Sequence, residues 1–165
     1  MLFNVSQLLR EETGASRRYD LDPKGVVHSG KVELIRLPGG ILVECTATVE
    51  LEAECARCLT PFCYLHDIQF DEIYAQQVDP VSGKKLEVDD PEAFLIGMDH
   101  TIDITEAVRQ YSEMAAEMQP LCRPDCPGIC PVCGTDMSTA PCQCDRTPID
   151  PRWQALVALK RKTNG

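Results

Sequence analysis

The sequence lacks any long apolar run. No segment of the 165 residues approaches the roughly 20 consecutive apolar residues of a membrane-spanning helix. The opening residues also lack the basic start, apolar core and small-residue cleavage site of a secretory signal. We therefore expect a cytoplasmic protein in a reducing compartment, with no membrane partner.

Aromatic residues and positive charge are scarce as well. Phe, Trp and Tyr make up 5% of the chain, and 26 acidic against 16 basic residues give a formal net charge of -10. Such a charge excludes sequence-blind wrapping of nucleic acid, so any RNA contact needs a local basic patch. The three histidines are scattered, and no phosphate loop or serine nucleophile elbow is present, so we assign no catalytic residue and no small-molecule substrate.

Cysteine, in contrast, is abundant, with ten copies. Eight of them form close pairs, which are Cys55/Cys58, Cys122/Cys126, Cys130/Cys133 and Cys142/Cys144. Two cysteines on a tight turn can present both sulfurs to one tetrahedral Zn²⁺, and Gly134 permits the positive φ that such a turn needs after Cys133. Cys45 falls on the inward face of a predicted strand and is interpreted as a core residue, and Cys63 is left unassigned.

Four pairs are enough for two four-sulfur sites. The pairing nearest in sequence joins Cys130/Cys133 with Cys142/Cys144 as a zinc ribbon or knuckle, which leaves Cys122/Cys126 to meet Cys55/Cys58. We predict two structural zinc ions per chain. One alternative is a single metal bound within the six-cysteine cluster, with Cys55/Cys58 as an exposed thiol pair. Another is a redox role for Cys55/Cys58, which the flanking strands disfavour because redox pairs of this spacing follow a strand and open a helix.

The first two thirds of the chain have the pattern of β-strands. In residues 41–53 the odd positions are apolar, and Glu44, Thr46, Thr48, Glu50 and Glu52 fall between them, which predicts a half-buried strand with one acidic face. Residues 32–37 form its predicted partner across a turn at Pro38-Gly39-Gly40. A second alternating run follows the Cys55/Cys58 pair, with Phe62, Tyr64, Ile68, Phe70 and Tyr74 as its inward residues. The pair is therefore expected at the tip of a long hairpin.

The last third is predicted to be helical and cysteine-rich. Asp103 and Glu106 have the spacing of a capping box at the start of a helix over residues 103–118. Its predicted inward face consists of Ile104, Ala107, Val108, Tyr111, Met114, Ala115 and Met118. A short terminal helix is predicted from Asp150 and Pro151, with Trp153, Leu156, Val157 and Leu159 inward and Lys160, Arg161 and Lys162 at its end.

These patterns predict an α+β fold. It consists of an antiparallel β domain with long hairpins, one long helix, and a small C-terminal zinc module followed by a short helix. The predicted domains are residues 1–120, which include the helix, and residues 121–165. An acidic mobile loop is predicted over residues 77–91.

Several segments together resemble one known family. The segment Glu54-Cys55-Ala56-Arg57-Cys58-Leu59-Thr60-Pro61-Phe62 is similar to the Cys-x-Arg-Cys-x-x-Pro-Phe hallmark of the YceD-type large ribosomal RNA subunit accumulation proteins. Residues 118–122, 126–134 and 150–153 resemble the cysteine-rich branch of that family. The resemblance implies a bacterial cytoplasmic or organellar protein needed for normal accumulation of large-subunit ribosomal RNA, without an established catalytic activity.

Three hypotheses for the function follow. The first is a non-enzymatic ribosome biogenesis factor that contacts ribosomal RNA locally, through Arg57 and the basic C-terminal residues before others. The second is an adaptor whose acidic strand face, formed by Glu44, Glu50, Glu52 and Glu54, binds a basic large-subunit ribosomal protein. The third and least favoured is a thiol redox or metallo-enzyme, because four-cysteine sites leave no open metal position for a substrate.

Overall fold

The structure, a computed structural model, describes residues 1–80, 82–88, 93–144 and Arg152. Its strands in chain order are β1 (Leu2–Asn4), β2 (Ser16–Leu21), β3 (Val27–Leu37), β4 (Gly40–Glu54), β5 (Pro61–Ala75), β6 (Phe94–Leu95) and β7 (Thr101–Asp103). A 3-10 helix spans Leu8–Arg10, and the α-helix α1 spans Thr105–Ala115. Apart from Arg152, the predicted terminal helix lies outside the described residues, as do residues 81 and 89–91 of the predicted acidic loop.

Two sheets are formed by these strands. The larger has the strand order β2-β3-β4-β5-β6, in which β3 pairs antiparallel with both β2 and β4, whereas β6 pairs parallel with β5. The smaller sheet consists of β1 and β7, paired antiparallel. The five-stranded sheet is therefore mixed.

The predicted fold class was wrong. The protein is mostly β, with a mixed rather than an antiparallel sheet, and the one α-helix of the described part has 11 residues rather than being long. The mixed character arises because Phe94 and Leu95 pair in parallel with Tyr74 and Ala75. A strand of two residues has no measurable alternation, so the sequence pattern could not reveal it.

The helix is shorter than predicted at both ends. Asp103 does accept a hydrogen bond from the backbone N–H of Thr105 at 2.9 Å, but the helix begins only at Thr105. It ends before Ala116, whose ψ of 130° is extended. Two residues of the predicted inward face are exposed: Met114, within the helix, at 76% and Met118, beyond its end, at 100% of their surface.

Strand β4 has the predicted alternation. Its odd positions from Ile41 to Val49 are buried, Glu44 and Thr46 between them are exposed, and so is Glu50 after them. In β5 the predicted inward residues Ile68, Phe70 and Tyr74 are buried, whereas Phe62 and Tyr64 are half-buried. The buried side chains of β3, β4 and β5, together with Ala107 and Val108 of the helix, belong to the main core.

The connection between β3 and β4 depends on glycine. Leu37 pairs with Gly40, so only Pro38 and Gly39 lie between the strands. Gly39 has a φ of 85°, which suits the second central position of a type II turn and which L-residues avoid. A Cβ atom at Gly40 would collide with the backbone carbonyl of Tyr74, so a side chain there would displace β5.

The chain divides into two compact units. The first contains Met1–Ala53 and Cys63–Met118, and the second contains Glu54–Phe62 and Gln119–Gly165. All eight paired cysteines belong to the second unit. Among the helices of the described residues, none is both long and apolar enough to cross a membrane.

Candidate metal centres

Four cysteines from two distant segments converge in the second unit. The Sγ atoms of Cys55, Cys58, Cys122 and Cys126 all lie within 4.8 Å of one another, and we call this group the first cluster. The Sγ atoms of Cys55 and Cys126 are 3.7 Å apart, and those of Cys58 and Cys122 are 3.8 Å apart. Zn–S bonds of about 2.3 Å in a tetrahedron place the sulfurs about 3.8 Å apart, whereas a disulfide needs about 2.05 Å. The spacing therefore fits a four-sulfur metal site.

A second group is formed within one short segment. The Sγ atoms of Cys130, Cys133, Cys142 and Cys144 also lie within 4.8 Å of one another, and we call this group the second cluster. In the described part of the chain these are the two groups of such ligand atoms, and neither contains a histidine or a carboxylate. The structure thus brings the four sequence pairs together two by two, in the arrangement expected from their spacing. Metal ligation by these residues remains a prediction.

The first cluster begins with a tight turn at residues 55–60, the first knuckle. The backbone N–H of Leu59 donates to the carbonyl of Cys55 at 2.9 Å, and that of Cys55 donates to the carbonyl of Thr60 at 3.0 Å. Leu59 adopts a φ of 60°, in the left-handed region. This conformation is unfavourable for a residue with a Cβ atom, so the turn is strained at Leu59.

Residues 130–135, the second knuckle, repeat this geometry. Gly134 donates to the carbonyl of Cys130 at 2.8 Å, and Cys130 donates to the carbonyl of Thr135 at 2.8 Å. Gly134 has a φ of 73° at the position that Leu59 occupies in the first knuckle. The backbone N–H of Val132 also points at the Cys130 sulfur, 3.4 Å away. Such N–H groups stabilise negative charge on sulfur, which favours thiolate ligands.

Within each cluster, the pKa of one thiol is lowered and the pKa of another is raised. A backbone hydrogen bond from Cys122 lowers the pKa of Cys55 to about 6, whereas desolvation and hydrogen bonds with neighbouring thiols raise the pKa of Cys122 to about 12. Hydrogen bonds from Thr135 lower the pKa of Cys133 to about 6, and the hydrogen bond with Cys133 raises the pKa of Cys144 to about 12. Close-packed sulfurs cannot all ionise by themselves. A divalent cation removes this obstacle, because it offsets the charge of the thiolates.

Burial distinguishes the two clusters. In the first, Cys55, Cys126 and Cys58 are buried, and Phe62 and Leu121 pack against them. In the second, only Cys130 is buried. Cys133 is exposed, and Cys142 and Cys144 are intermediate. Solvent and competing ligands therefore reach the second cluster more easily than the first.

Arg57 positions the chain around the first cluster. Its guanidinium group donates to the carbonyl of Cys126 at 3.0 Å and to that of Pro124 at 3.4 Å, while its own carbonyl accepts from the N–H of Ile129 at 3.1 Å. A Cβ atom at Gly128 would lie only 3.0 Å from that carbonyl oxygen. Sequence reasoning offered Arg57 as an RNA contact and missed this role. Its place inside the Cys55/Cys58 turn was the available signal.

The remaining cysteines are in neither cluster. Cys45 is a buried core residue of β4, and burial raises its pKa to about 11. Cys63 is exposed on β5. Neither residue has a cluster of ligand atoms around it in the described residues.

The fold and its clusters define a mostly β protein with a unit built around two four-sulfur groups. Comparison with known families identifies the class more closely. The protein-family model described as "Large ribosomal RNA subunit accumulation protein YceD" matches residues 43–160. The chain belongs to this family, which confirms the resemblance drawn from its sequence.

Curated relatives come from mycobacteria. Uncharacterized proteins of Mycobacterium bovis and of Mycobacterium tuberculosis strain H37Rv are each 34% identical over 122 residues, which cover 73% of this chain and 56% of the relative. An uncharacterized protein of Mycobacterium leprae is 30% identical over 119 residues, covering 72% of this chain and 52% of the relative. The chain thus spans about half the length of the curated relatives it matches. No solved structure matches it.

Proposed function

We propose that this protein is a non-enzymatic, cytoplasmic ribosome biogenesis factor that supports accumulation of large-subunit ribosomal RNA by binding a component of the large subunit. Family membership supports the process. The observation that carries the mechanism is the pair of four-sulfur clusters, because a closed four-cysteine site holds structure and leaves no position for a substrate. The protein therefore acts through the surfaces that its metal sites hold in place.

The proposed metal is zinc, with two ions per chain. One is held by Cys55, Cys58, Cys122 and Cys126, and the other by Cys130, Cys133, Cys142 and Cys144. A tetrahedral four-sulfur shell suits Zn²⁺ or an iron–sulfur centre. The Sγ–Sγ distances of 3.7 Å between Cys55 and Cys126 and 3.8 Å between Cys58 and Cys122 match four Zn–S bonds to one ion. The same commitment of Cys55 and Cys58 to a cluster argues against their acting as a free redox pair.

Elemental analysis of freshly purified, reduced protein tests this assignment. Two zinc ions per chain and no visible iron absorbance are expected. Graded chelation should then loosen the predicted module of residues 121–165 before the β domain of residues 1–120, as read by limited proteolysis. Protein without metal would overturn the metal sites, and one zinc per chain would overturn the two-by-two grouping.

The biological role is tested in cells that lack the gene. Reintroducing the wild-type chain should restore the ratio of large-subunit to small-subunit ribosomal RNA. A variant with Cys55→Ser should fail to restore it, whereas Cys63→Ser, which alters an exposed cysteine outside the clusters, should succeed. Normal ribosomal RNA levels in the cells without the gene would refute the proposed function. The direct partner is ribosomal RNA or a basic large-subunit protein. The charge on the surface of the sheet helps to distinguish these two partners.

A further inference from the structure

One face of the five-stranded sheet is open to solvent. Val43, Cys45 and Phe70 point into the core, so the alternate residues of β4 and β5 point the other way and are mostly exposed. We call this side the open face. A groove of 510 Å³ crosses it over β2, β3, β4 and β5, and its lining includes Arg18 and Asp71.

The charged residues that line the groove are mostly acidic. Glu33 of β3 and Glu44 of β4 are directly opposite each other in the strand register, an arrangement that destabilises a sheet. Arg18 neutralises Glu33 through an ion pair of 2.8 Å. Glu44 and Asp71, which line the same groove, form no ion pair within the described part of the chain. The charged lining residues are four carboxylates, Asp20, Glu33, Glu44 and Asp71, against the two cations Arg18 and Lys31, so the acidic groups outnumber the basic ones.

Exposed apolar side chains accompany these carboxylates. Leu65 and Ile73 of β5 are 54% and 56% exposed, and they share the open face with Asp67 and Asp71 because they are separated by even numbers of residues. Apolar and acidic groups thus share one face of the strand. An extended chain whose docking face carries both basic and apolar side chains complements this surface, whereas the phosphates of RNA would meet the carboxylates and be repelled.

We propose that the open face docks an extended basic segment of a partner protein. Lysine or arginine side chains of that segment pair with Glu44 and Asp71, and an apolar side chain contacts Ile73. This inference rests on the proposed function and specifies it, because it names protein rather than RNA as the partner at this surface. Electrostatic complementarity of this kind selects the partner and accelerates its association.

Binding assays on the full-length, zinc-loaded protein test the proposal. The probes are a labelled 12-residue peptide with the repeat Lys-Lys-Val-Val, which places both residue types on each face of an extended chain, and a labelled single-stranded RNA of 12 nucleotides. We expect the peptide to bind with an affinity that falls as salt rises, and to bind more tightly than the RNA. The double variant Glu44→Gln/Asp71→Asn keeps the shape of both side chains and should weaken peptide binding at least tenfold.

A matched control removes the same charge elsewhere. Glu12→Gln/Glu117→Gln alters two exposed carboxylates outside the groove and should leave peptide affinity within twofold. Equal weakening by both double variants, absence of peptide binding at low salt, or tighter binding of the RNA would overturn the docking proposal. Self-association that Glu44→Gln/Asp71→Asn abolishes would also overturn it, because the face would then belong to a second copy of the chain.

The cellular assay separates this proposal from the function on which it rests. If the wild-type chain restores ribosomal RNA accumulation and Glu44→Gln/Asp71→Asn does not, while retaining two zinc ions, both are supported. If the double variant restores accumulation as well as the wild type, the docking proposal fails alone. If the wild-type chain itself restores nothing, the proposed function fails first.

Discussion

The first cluster joins Cys55 to Cys126 across 71 positions of sequence, whereas the second is completed within residues 130–144. Both begin with a knuckle of the same backbone hydrogen bonds, yet three cysteines of the first are buried and only one of the second is. The same local turn therefore serves two purposes. In the first cluster it ties distant segments together, and in the second it closes a short loop.

The largest loss of stability should come from removing a ligand of the first cluster. Cys55→Ser removes a buried ligand, and we expect loss of one zinc and destabilisation by about 4 kcal/mol or more, because metal binding contributes directly to folding. Urea unfolding with zinc analysis measures both quantities. Cys63→Ser is the matched control and should stay within about 0.5 kcal/mol of the wild type with two zinc ions. A similar loss in both variants would show that Cys55 is not a ligand.

Removing a ligand of the second cluster should destabilise the protein less. Cys144→Ser should also release one zinc, but we expect destabilisation of only about 1–2 kcal/mol because the loop that this site closes is short and more exposed. Hydrogen exchange should show β3 and β4 protected as in the wild type. Destabilisation as large as that of Cys55→Ser would mean that the two clusters contribute equally, contrary to their burial.

Arg57 tests whether the first cluster depends on its surroundings. Arg57→Ala removes the donors to the carbonyls of Pro124 and Cys126, and we expect roughly tenfold weaker zinc affinity at the first cluster alone. Competition with a chromophoric chelator measures the two affinities separately. Arg123→Ala, which removes a surface ion pair with Asp125 at 3.5 Å, should change neither. An unchanged affinity in Arg57→Ala would contradict the positioning role.

The smallest effects should come from exchanging the residues at the left-handed positions. Leu59→Gly relieves the strain of a φ of 60° and should stabilise the protein by up to about 1 kcal/mol. Gly134→Leu introduces the same strain and should destabilise it by about 1 kcal/mol, since a Cβ atom there has no neighbour within 4 Å to clash with. Thermal unfolding of the two variants decides the matter. Shifts of the same sign would show that the two knuckles are not equivalent.

Local patterns in the sequence predicted local structure well. The alternation of residues 41–53 and the burial of Ile68, Phe70 and Tyr74 are confirmed because successive side chains of a strand point to opposite faces of its sheet, whichever strands lie beside it. The length of the helix and the parallel pairing of β6 were not predicted. Nothing local marks Ala116 as the end of the helix, and Phe94 and Leu95 are too few to show a period.

The two knuckles also differ in how far the sequence predicts their backbone conformation. Gly134 was identified from the sequence as a residue with positive φ, because glycine carries that conformation at no cost. Leu59 was not, because leucine adopts it only when surrounding contacts compensate. The place of Arg57 inside the Cys55/Cys58 turn indicated a role near the cluster, but its acceptors Pro124 and Cys126 could not be predicted because they lie far along the chain.

The sequence by itself determined the four cysteine pairs, the alternating strands and the family. These depend on spacing between near neighbours and on characteristic segments, both of which can be read along the chain. Only the tertiary structure decided that the sulfurs of Cys55 and Cys126 lie 3.7 Å apart, and that Glu44 and Asp71 share one groove. Contacts between residues so distant in sequence depend on the path of the whole chain between them. That path is determined by packing and strand pairing throughout the fold.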